Sequence, residues 1–304
     1  MERQYDLVIV GAGPAGMSAS LYASRAGLKT LLLDNGAPGG KLIKTFEISN
    51  YPGVSSLPGT DLAMKMFEQS TSFGAEYAYG NVVKVTKDKH VLLEDGTELE
   101  AKAVIVATGT KERLLNIPGE AENIGRGVSF CAVCDGAFFK GKDVVVIGGG
   151  NSALEESLYL TQFVNSVTIV IRRDVFRAEQ QIQDQIKQND KIHVITKHIP
   201  KEIMSRDQKV YSILLENVDT KETKEIVCQG IFPYVGQNPM SDSLKDLDVL
   251  DDKGYVIVNE HMETKVEGVY AAGDIIQKEL RQVVTATNDG AIAAQHIFHK
   301  IKGI

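Results

Sequence analysis

Two segments of this 304-residue chain repeat one pattern, and that repeat limits the fold more than any other feature. Residues 7–10 are an apolar, β-branched run that leads into Gly11-Ala12-Gly13-Pro14-Ala15-Gly16. A helical stretch follows to about Ala26, then a second apolar run at 30–33. Residues 144–147 lead in the same way into Gly148-Gly149-Gly150-Asn151-Ser152-Ala153. A helical stretch to about Phe163 and an apolar run at 167–171 complete the second copy. Strand, glycine turn, helix and strand make a parallel βαβ unit with a dinucleotide fingerprint. Continuous apolar strands fit a sheet covered on both faces. One such glycine motif could be an ordinary turn. Two, each set between a strand and a helix, meet the context the fingerprint requires.

The glycines have separate tasks. Gly11 and Gly148 make the turn tight, and Gly13 and Gly150 let backbone approach a pyrophosphate. Gly16, replaced by Ala153 in the second copy, lets helix pack closely on strand. Pro14, Ala15, Asn151 and Ser152 then open helices whose N-termini meet the phosphate charge.

The copies differ where nucleotide choice is made. A carboxylate at the end of the second strand binds adenosine ribose hydroxyls. In the first copy Asp34 stands there, 23 positions after Gly11. The same step from Gly148 reaches Ile171, followed by Arg172, Arg173 and, one helical turn on, Arg177. Guanidinium groups in place of an acid suit a 2′-phosphate, so the second copy reads as an NADPH site. A solvated basic helix start is the plainer alternative. The first copy then needs another dinucleotide, and FAD is the natural candidate. The late segment 268–274 reads as a strand ending in Gly273-Asp274, either a plain turn or a turn that sets Asp274 against the ribityl chain. Residues 104–109 are another strand, ending in the turn Thr108-Gly109.

Cys131-Ala132-Val133-Cys134-Asp135 carries the remaining chemistry. A Cys-x-x-Cys can be half a zinc site, a redox disulfide or two unrelated thiols. Zinc needs two further ligands; the third cysteine is distant Cys228, and no histidine lies nearby in sequence, so no metal is expected. In the redox reading one thiolate attacks a partner disulfide and the second resolves the mixed disulfide. Asp135 is placed to manage the protons, and Cys228 reads as a buried apolar residue.

Composition sets outer bounds. Thirty-three basic against forty acidic side chains leave a net charge of −7. That balance, without a Lys/Arg-rich run, makes a poor general binder of nucleic acid. No segment supplies the roughly 20 apolar residues of a membrane helix. The amino terminus runs straight into a strand without a signal-peptide pattern. A soluble, cytoplasmic protein without nucleic-acid or membrane partners is expected.

The FAD fingerprint, Cys-Ala-Val-Cys-Asp-Gly, the second fingerprint, Arg-Arg-x-x-x-Arg and Ala-Gly-Asp occur in that order. Together they resemble the low-molecular-weight class of bacterial thioredoxin reductases, over essentially the whole chain. In the glutathione-reductase-like class the cysteines follow the FAD fingerprint instead. The resemblance implies an α/β protein with two Rossmann-like dinucleotide-binding domains, the NADPH domain inserted into a split FAD domain. Residues 1–113 and 242–304 would form the FAD domain, and 114–241 the NADPH domain with the disulfide. It implies electron flow from NADPH through FAD and the Cys131–Cys134 pair to thioredoxin, in a homodimer. Cys134 would face the flavin and Cys131 would begin exchange with the substrate.

By the same resemblance, the loop from Asp34 through Gly39, Gly40 and Lys41 wraps FAD. Asn50, in Ser-Asn-Tyr-Pro-Gly, and the segment from Asp274 through Arg281, Gln282 and Val283 contact the flavin. Arg126, Phe138 and Phe139 match positions that dock thioredoxin. Two residues depart from the family pattern: Lys41 stands for a usual Gln, and Ile171 for a usual His. Because disulfide and NADPH fingerprint share one domain while the flavin belongs to the other, a swing about segments 113–118 and 239–243 is expected during turnover. Related readings are a dithiol flavoenzyme serving another partner, a ferredoxin–NADP reductase-like flavoprotein, which lacks the cysteine pair, and a disulfide-based redox sensor.

Overall fold

The computed structural model describes residues 2–45, 48, 50–54 and 56–304. Met1, Phe46, Glu47, Ser49 and Ser55 lie outside the described residues, and with them the first residue of the Ser-Asn-Tyr-Pro-Gly motif. The chain forms two compact units, Met1–Lys111 with Asn238–Ile304, and Glu112–Gln237.

The first unit is built on a seven-stranded sheet. β1 (Gln4–Val10) pairs in parallel with β2 (Thr30–Asp34), and β2 with β3 (Glu76–Tyr79). On the other side of β1 runs β6 (Glu98–Val106), also parallel. The first residues of β6 hold antiparallel β5 (His90–Leu93), which pairs with β4 (Val82–Val85). The last residues of β6 hold parallel β16 (Val269–Ala271). The pleat sends alternate side chains to opposite faces, so the sheet has two cores. Val8, Val10, Leu31, Leu33, Val104 and Val106 enter one. Leu7, Ile9, Leu32 and Ile105 enter the other, where α1 (Pro14–Arg25) and α7 (Val283–Lys302) lie. These two helices approach closely on small residues: a Cβ at Gly290 would stand 2.1 Å from the Ala15 carbonyl oxygen. α2 (Gly59–Thr71) packs on α1.

The second unit repeats the parallel plan with four strands, β10 (Ile192–Ile195), β9 (Ser166–Val170), β8 (Asp143–Ile147) and β14 (Gly230–Pro233) in that order. The helices α5 (Asn151–Leu160) and α6 (Gln180–Lys187) pack on each other. α5 stops at Leu160, short of the expected Phe163, because residues 161–163 form a turn. An antiparallel sheet of β11 (His198–Arg206), β12 (Lys209–Asn217) and β13 (Thr223–Val227) lies among the neighbours of the other face. Its Ile203, Val210, Ile213 and Leu215 form a core with Val145, Ile147 and Cys228. Burial there pushes the Cys228 thiol up to about 12, which leaves it inert at neutral pH. Two one-turn helices, α3 (Glu120–Asn123) and α4 (Ala132–Asp135), precede β8.

The chain passes between the units in short strands, β7 (Thr110–Glu112) and β15 (Gln237–Pro239). The divisions therefore fall at 111/112 and 237/238, a few residues ahead of the 113/114 and 241/242 read from the sequence. Both crossings are hydrogen-bonded backbone rather than open loop. Met240 N–H donates to the Gly109 carbonyl at 3.0 Å, and Arg113 N–H to the Gly236 carbonyl at 3.0 Å.

Candidate active site

Each glycine turn is a cradle with one side open. Gly11 has φ +108°, and a Cβ there would meet the Ala107 carbonyl oxygen at 2.4 Å. Gly148 has φ +145°, and its Cβ would meet the Tyr234 carbonyl oxygen at 2.4 Å. These two are glycine because the protein leaves no room. Gly13 and Gly150 differ: each caps its helix with extended backbone, φ −79° and −97°, which any residue adopts. A Cβ at either would have no protein atom within 4 Å. The space they keep clear adjoins the first N–H groups of α1 and α5, so it fits a pyrophosphate. Gly16 closes the first cradle from behind, its Cβ position 1.8 Å from the Gly11 carbonyl oxygen. Ala153 fills that place in the second, and is buried.

Around the first cradle the structure gathers most of the expected residues. Asp34 Oδ2 accepts the Ala12 N–H at 2.5 Å, and Oδ1 accepts the Gly36 N–H at 2.8 Å, which aims the carboxylate at the glycine turn. Gly39 donates its N–H to the Ala12 carbonyl at 2.7 Å, and Gly40, at φ +56°, comes within 3.3 Å (Cβ position) of Gly13 Cα. Lys41 Nζ donates to Thr110 Oγ1 at 2.5 Å and lies 3.9 Å from Asp274 Oδ2. Where the resembled pattern has a neutral amide, this chain sets a cation beside Asp274. Thr108 Oγ1 donates to the Met240 carbonyl at 2.6 Å, and Gly109 has φ +70°. Gly273, at φ +84°, approaches Ala15, with 2.8 Å between its Cβ position and Ala15 Cβ. Arg281 donates to the carbonyls of Asp274 and Ile276 at 3.2 Å each and stacks over Tyr255. Asn50 donates to the side chain of Gln282 at 3.1 Å; Gln282 caps α7, and Val283 is its first residue.

Around the second cradle, Arg177 N–H donates to the Gly149 carbonyl at 2.8 Å, which folds the arginine segment back on the turn. Arg172, Arg173 and Arg177 are exposed, and none is in an ion pair among the described residues. Ile171 is buried instead of facing an anion. Ser152 is exposed. Asn151 and Glu179 exchange two hydrogen bonds, at 2.9 and 2.8 Å, so the Asn151 amide fastens the arginine segment to the start of α5.

The same unit carries a Cys131–Cys134 disulfide, with 5.3 Å between the Cα atoms. Cys131 caps α4, and its sulfur accepts the Cys134 N–H at 3.1 Å. Cys134 is exposed and Cys131 half-buried. Asp135 is held by Ser129, whose hydroxyl donates to Oδ2 at 2.6 Å and accepts the Cys131 N–H at 3.1 Å. Two nucleotide cradles and one Cys-x-x-Cys disulfide on a single chain suit electron transfer from a reduced dinucleotide to a disulfide.

A family model described as pyridine nucleotide-disulphide oxidoreductase matches residues 5–290. The chain belongs to that family of oxidoreductases. It is 48% identical over 303 residues to a thioredoxin reductase of Bacillus subtilis, covering 99% of this chain and 96% of that protein. It is 46% identical to one of Listeria innocua, covering 97% of this chain and 93% of that protein. Among solved structures, the Lactococcus lactis thioredoxin reductase (FR conformation) superposes with a TM-score of 0.96 at 46% identity, covering 99% of this chain and all of that one. The T. acidophilum thioredoxin reductase superposes with 0.94 at 36% identity, covering 99% of this chain and 100% of that one.

Within the family fold, some residues of the site escape sequence reasoning. Asp289 on α7 accepts the Gly273 N–H at 3.0 Å and pairs with Lys278 at 2.6 Å, both side chains nearly buried. It holds the Gly273-Asp274 turn from behind. An acid amid the apolar stripe of α7 was the one signal for it. Ser129 and Tyr234 carried no sequence signal. One expectation needs correction. Phe138 is 74% exposed, but Phe139 is 7% exposed and stacks edge-to-face on Phe232. Phe139 is a core residue because a short helical turn sets neighbouring side chains about a third of a turn apart, so only Phe138 is offered to a partner.

Proposed function

We propose that this chain is an FAD- and NADPH-dependent thioredoxin reductase. The observation that carries the reading is the pairing, in one unit, of a redox disulfide with a dinucleotide cradle fringed by unpaired arginines. The names of the full-length relatives support thioredoxin as the partner. A cytoplasmic homodimer is part of the same reading, and the charge of −7 agrees with a protein substrate rather than nucleic acid.

Bound FAD would supply a hydride acceptor for NADPH and an electron-pair donor for the disulfide. The chain's residues divide the remaining work. Gly13 and Asp34 receive the FAD pyrophosphate and adenosine ribose, and Lys41, Asn50, Asp274 and Arg281 border the flavin end. Gly150 and the start of α5 receive the NADPH pyrophosphate, and Arg172, Arg173 and Arg177 its 2′-phosphate. Cys134 receives the electrons, Cys131 attacks the thioredoxin disulfide, and Asp135, steadied by Ser129, holds the proton that must reach the leaving thiolate. Arg126 and Phe138 meet the partner. Cradle and disulfide occupy one unit, so a swing at the crossings brings each in turn to the flavin.

NADPH oxidation coupled to thioredoxin and a chromogenic disulfide tests the reading. Turnover that needs every component is expected. Fast flavin reduction without thioredoxin-dependent turnover would refute it and favour a different disulfide partner.

A further inference from the structure

The second unit half-buries a glutamate that the reaction as described does not use, and shuts one of its carboxyl oxygens off from solvent. Glu156 lies on α5, one turn beyond the residues of the glycine cradle. Its Oε2 is shielded from solvent and has no hydrogen-bond partner. Such a group costs stability, so its presence calls for a reason. Its surroundings point to the disulfide. α4, which carries Cys131 and Cys134 at its ends, packs directly on α5. The residue just after α4 is close as well: a Cβ at Gly136 would stand 3.3 Å from Leu160 and 3.6 Å from Tyr159 on α5. Two polar groups converge on one backbone donor of this short helix, the Ala132 N–H. It donates to the Tyr234 hydroxyl at 3.3 Å, and it also acts on the Glu156 carboxyl. Ala132 is joined by one peptide bond to Cys131.

We propose that Glu156 is a proton-linked positioning residue for the Cys131–Cys134 pair, taking up a proton when the disulfide is reduced and releasing it on reoxidation. The inference rests on the redox reading of that pair. Reduction adds two electrons, breaks the sulfur–sulfur bond and, near neutral pH, leaves one thiol and one thiolate. One proton goes to the thiol sulfur. The new thiolate charge beside α5 draws a second proton from solvent onto Glu156. Reoxidation by a partner disulfide returns both.

The electrostatics agree. Burial, with the charge of Glu155 adding to it, pushes Glu156 up to about 7 against the lowering effect of the Ala132 N–H. The group is therefore poised to change state at neutral pH. Burial, with the charge of Glu156 second, keeps Tyr234 protonated. Among the described residues no cation forms an ion pair with the carboxylate, and the charge that acts on it, Glu155, has the same sign. On α6, Lys187 pairs with Asp184 at 3.5 Å. On α4, Asp135 is held by Ser129, and on β8 Asp143 accepts from Asn165 and Ser166. β9 carries no ionisable side chain.

The test is a redox titration of the pair in the holoenzyme against dithiothreitol, with thiols counted by alkylation, at a series of pH values. It uses neither NADPH nor thioredoxin, so a failure of the thioredoxin assignment leaves it intact; a pair that dithiothreitol cannot reduce would sink the redox reading itself. In the native protein the slope of midpoint potential against pH should show an inflection near 7. Glu156→Gln should lose that inflection and take up as much as one proton fewer per electron pair there. Tyr234→Phe is the second variant, should Glu156→Gln fold poorly. It leaves the Ala132 N–H to Glu156 alone and should move the inflection to lower pH. An unchanged proton count in Glu156→Gln, or an unmoved inflection in Tyr234→Phe, would overturn the proposal. In a separate steady-state assay of Glu156→Gln, a raised KM for NADPH beside a native titration profile would do the same, and assign Glu156 to the nucleotide.

Discussion

Asp289 offers the sharpest test of how the flavin side of the site is held. It is 8% exposed and its partner Lys278 14%, with 2.6 Å between their charged atoms. Asp289→Ala removes the counter-charge of a nearly buried ammonium and the acceptor of the Gly273 N–H together. Breaking a buried pair from one side costs about 3–5 kcal/mol, because the remaining charge has lost its solvent and its partner. In a unit of this size about 1 kcal/mol moves the melting temperature by roughly 2–4 °C. The first unit should therefore melt roughly 6–20 °C lower. Asp289→Asn keeps an acceptor for Gly273 and loses the charge, so it should fall between native and Ala, by roughly 1.5–3 kcal/mol. Replacing Lys278 and Asp289 together by Met and Leu should recover most of the loss, since an apolar pair leaves no stranded charge. Thermal melts of the protein stripped of FAD, followed by circular dichroism, read the effect without a mass-action contribution from the cofactor. A loss under about 1 kcal/mol in Asp289→Ala would refute the argument, as would a double variant no better than the single one.

Other outcomes follow from the cradles and the cysteines. Replacing Arg172 and Arg173 by Ala should raise the KM for NADPH and leave NADH nearly unchanged; two charged contacts of roughly 1.5–3 kcal/mol each imply on the order of 10²–10⁴ in preference, and equal use of both nucleotides by the native protein would contradict it. Either Cys131→Ser or Cys134→Ser should abolish thioredoxin reduction while stopped-flow flavin reduction by NADPH survives; loss of both would show that sulfur takes part earlier. Asp135→Asn should slow exchange by about 10²–10⁴-fold in the same assay. Gly13→Val should leave the fold unaltered by circular dichroism but purify with little FAD, because its side chain meets only the space kept for the ligand; normal FAD content would argue against the pyrophosphate position.

The two βαβ units were legible in the chain because their signals are local. Runs such as 7–10 and 144–147 become β1 and β8 within their larger bounds, and glycine turns follow each where backbone cannot carry a side chain. Cys-x-x-Cys was legible for the same reason: three positions suffice to close the disulfide. Less was visible where an element has no alternation of its own. The antiparallel sheet of β11 to β13 is mostly exposed along β13 and bulged in β11, and its pattern is weak.

Sequence by itself thus determined which dinucleotide turns exist, which charges surround them and which thiols can pair. Each is a matter of residue type over a few positions. Tertiary structure alone decided which side chains stand behind those turns. Asp289 reaches Gly273 only because α7 docks on α1 through small residues. Lys41 meets Asp274 across more than two hundred positions. Phe139 and Phe138 are chemically alike, and only the direction of one helical turn makes the first core and the second surface. Glu156 reads as one acid among many on a helix. Packing shuts one of its oxygens off from solvent, and a carboxyl so placed beside Glu155 is no longer an ordinary acid.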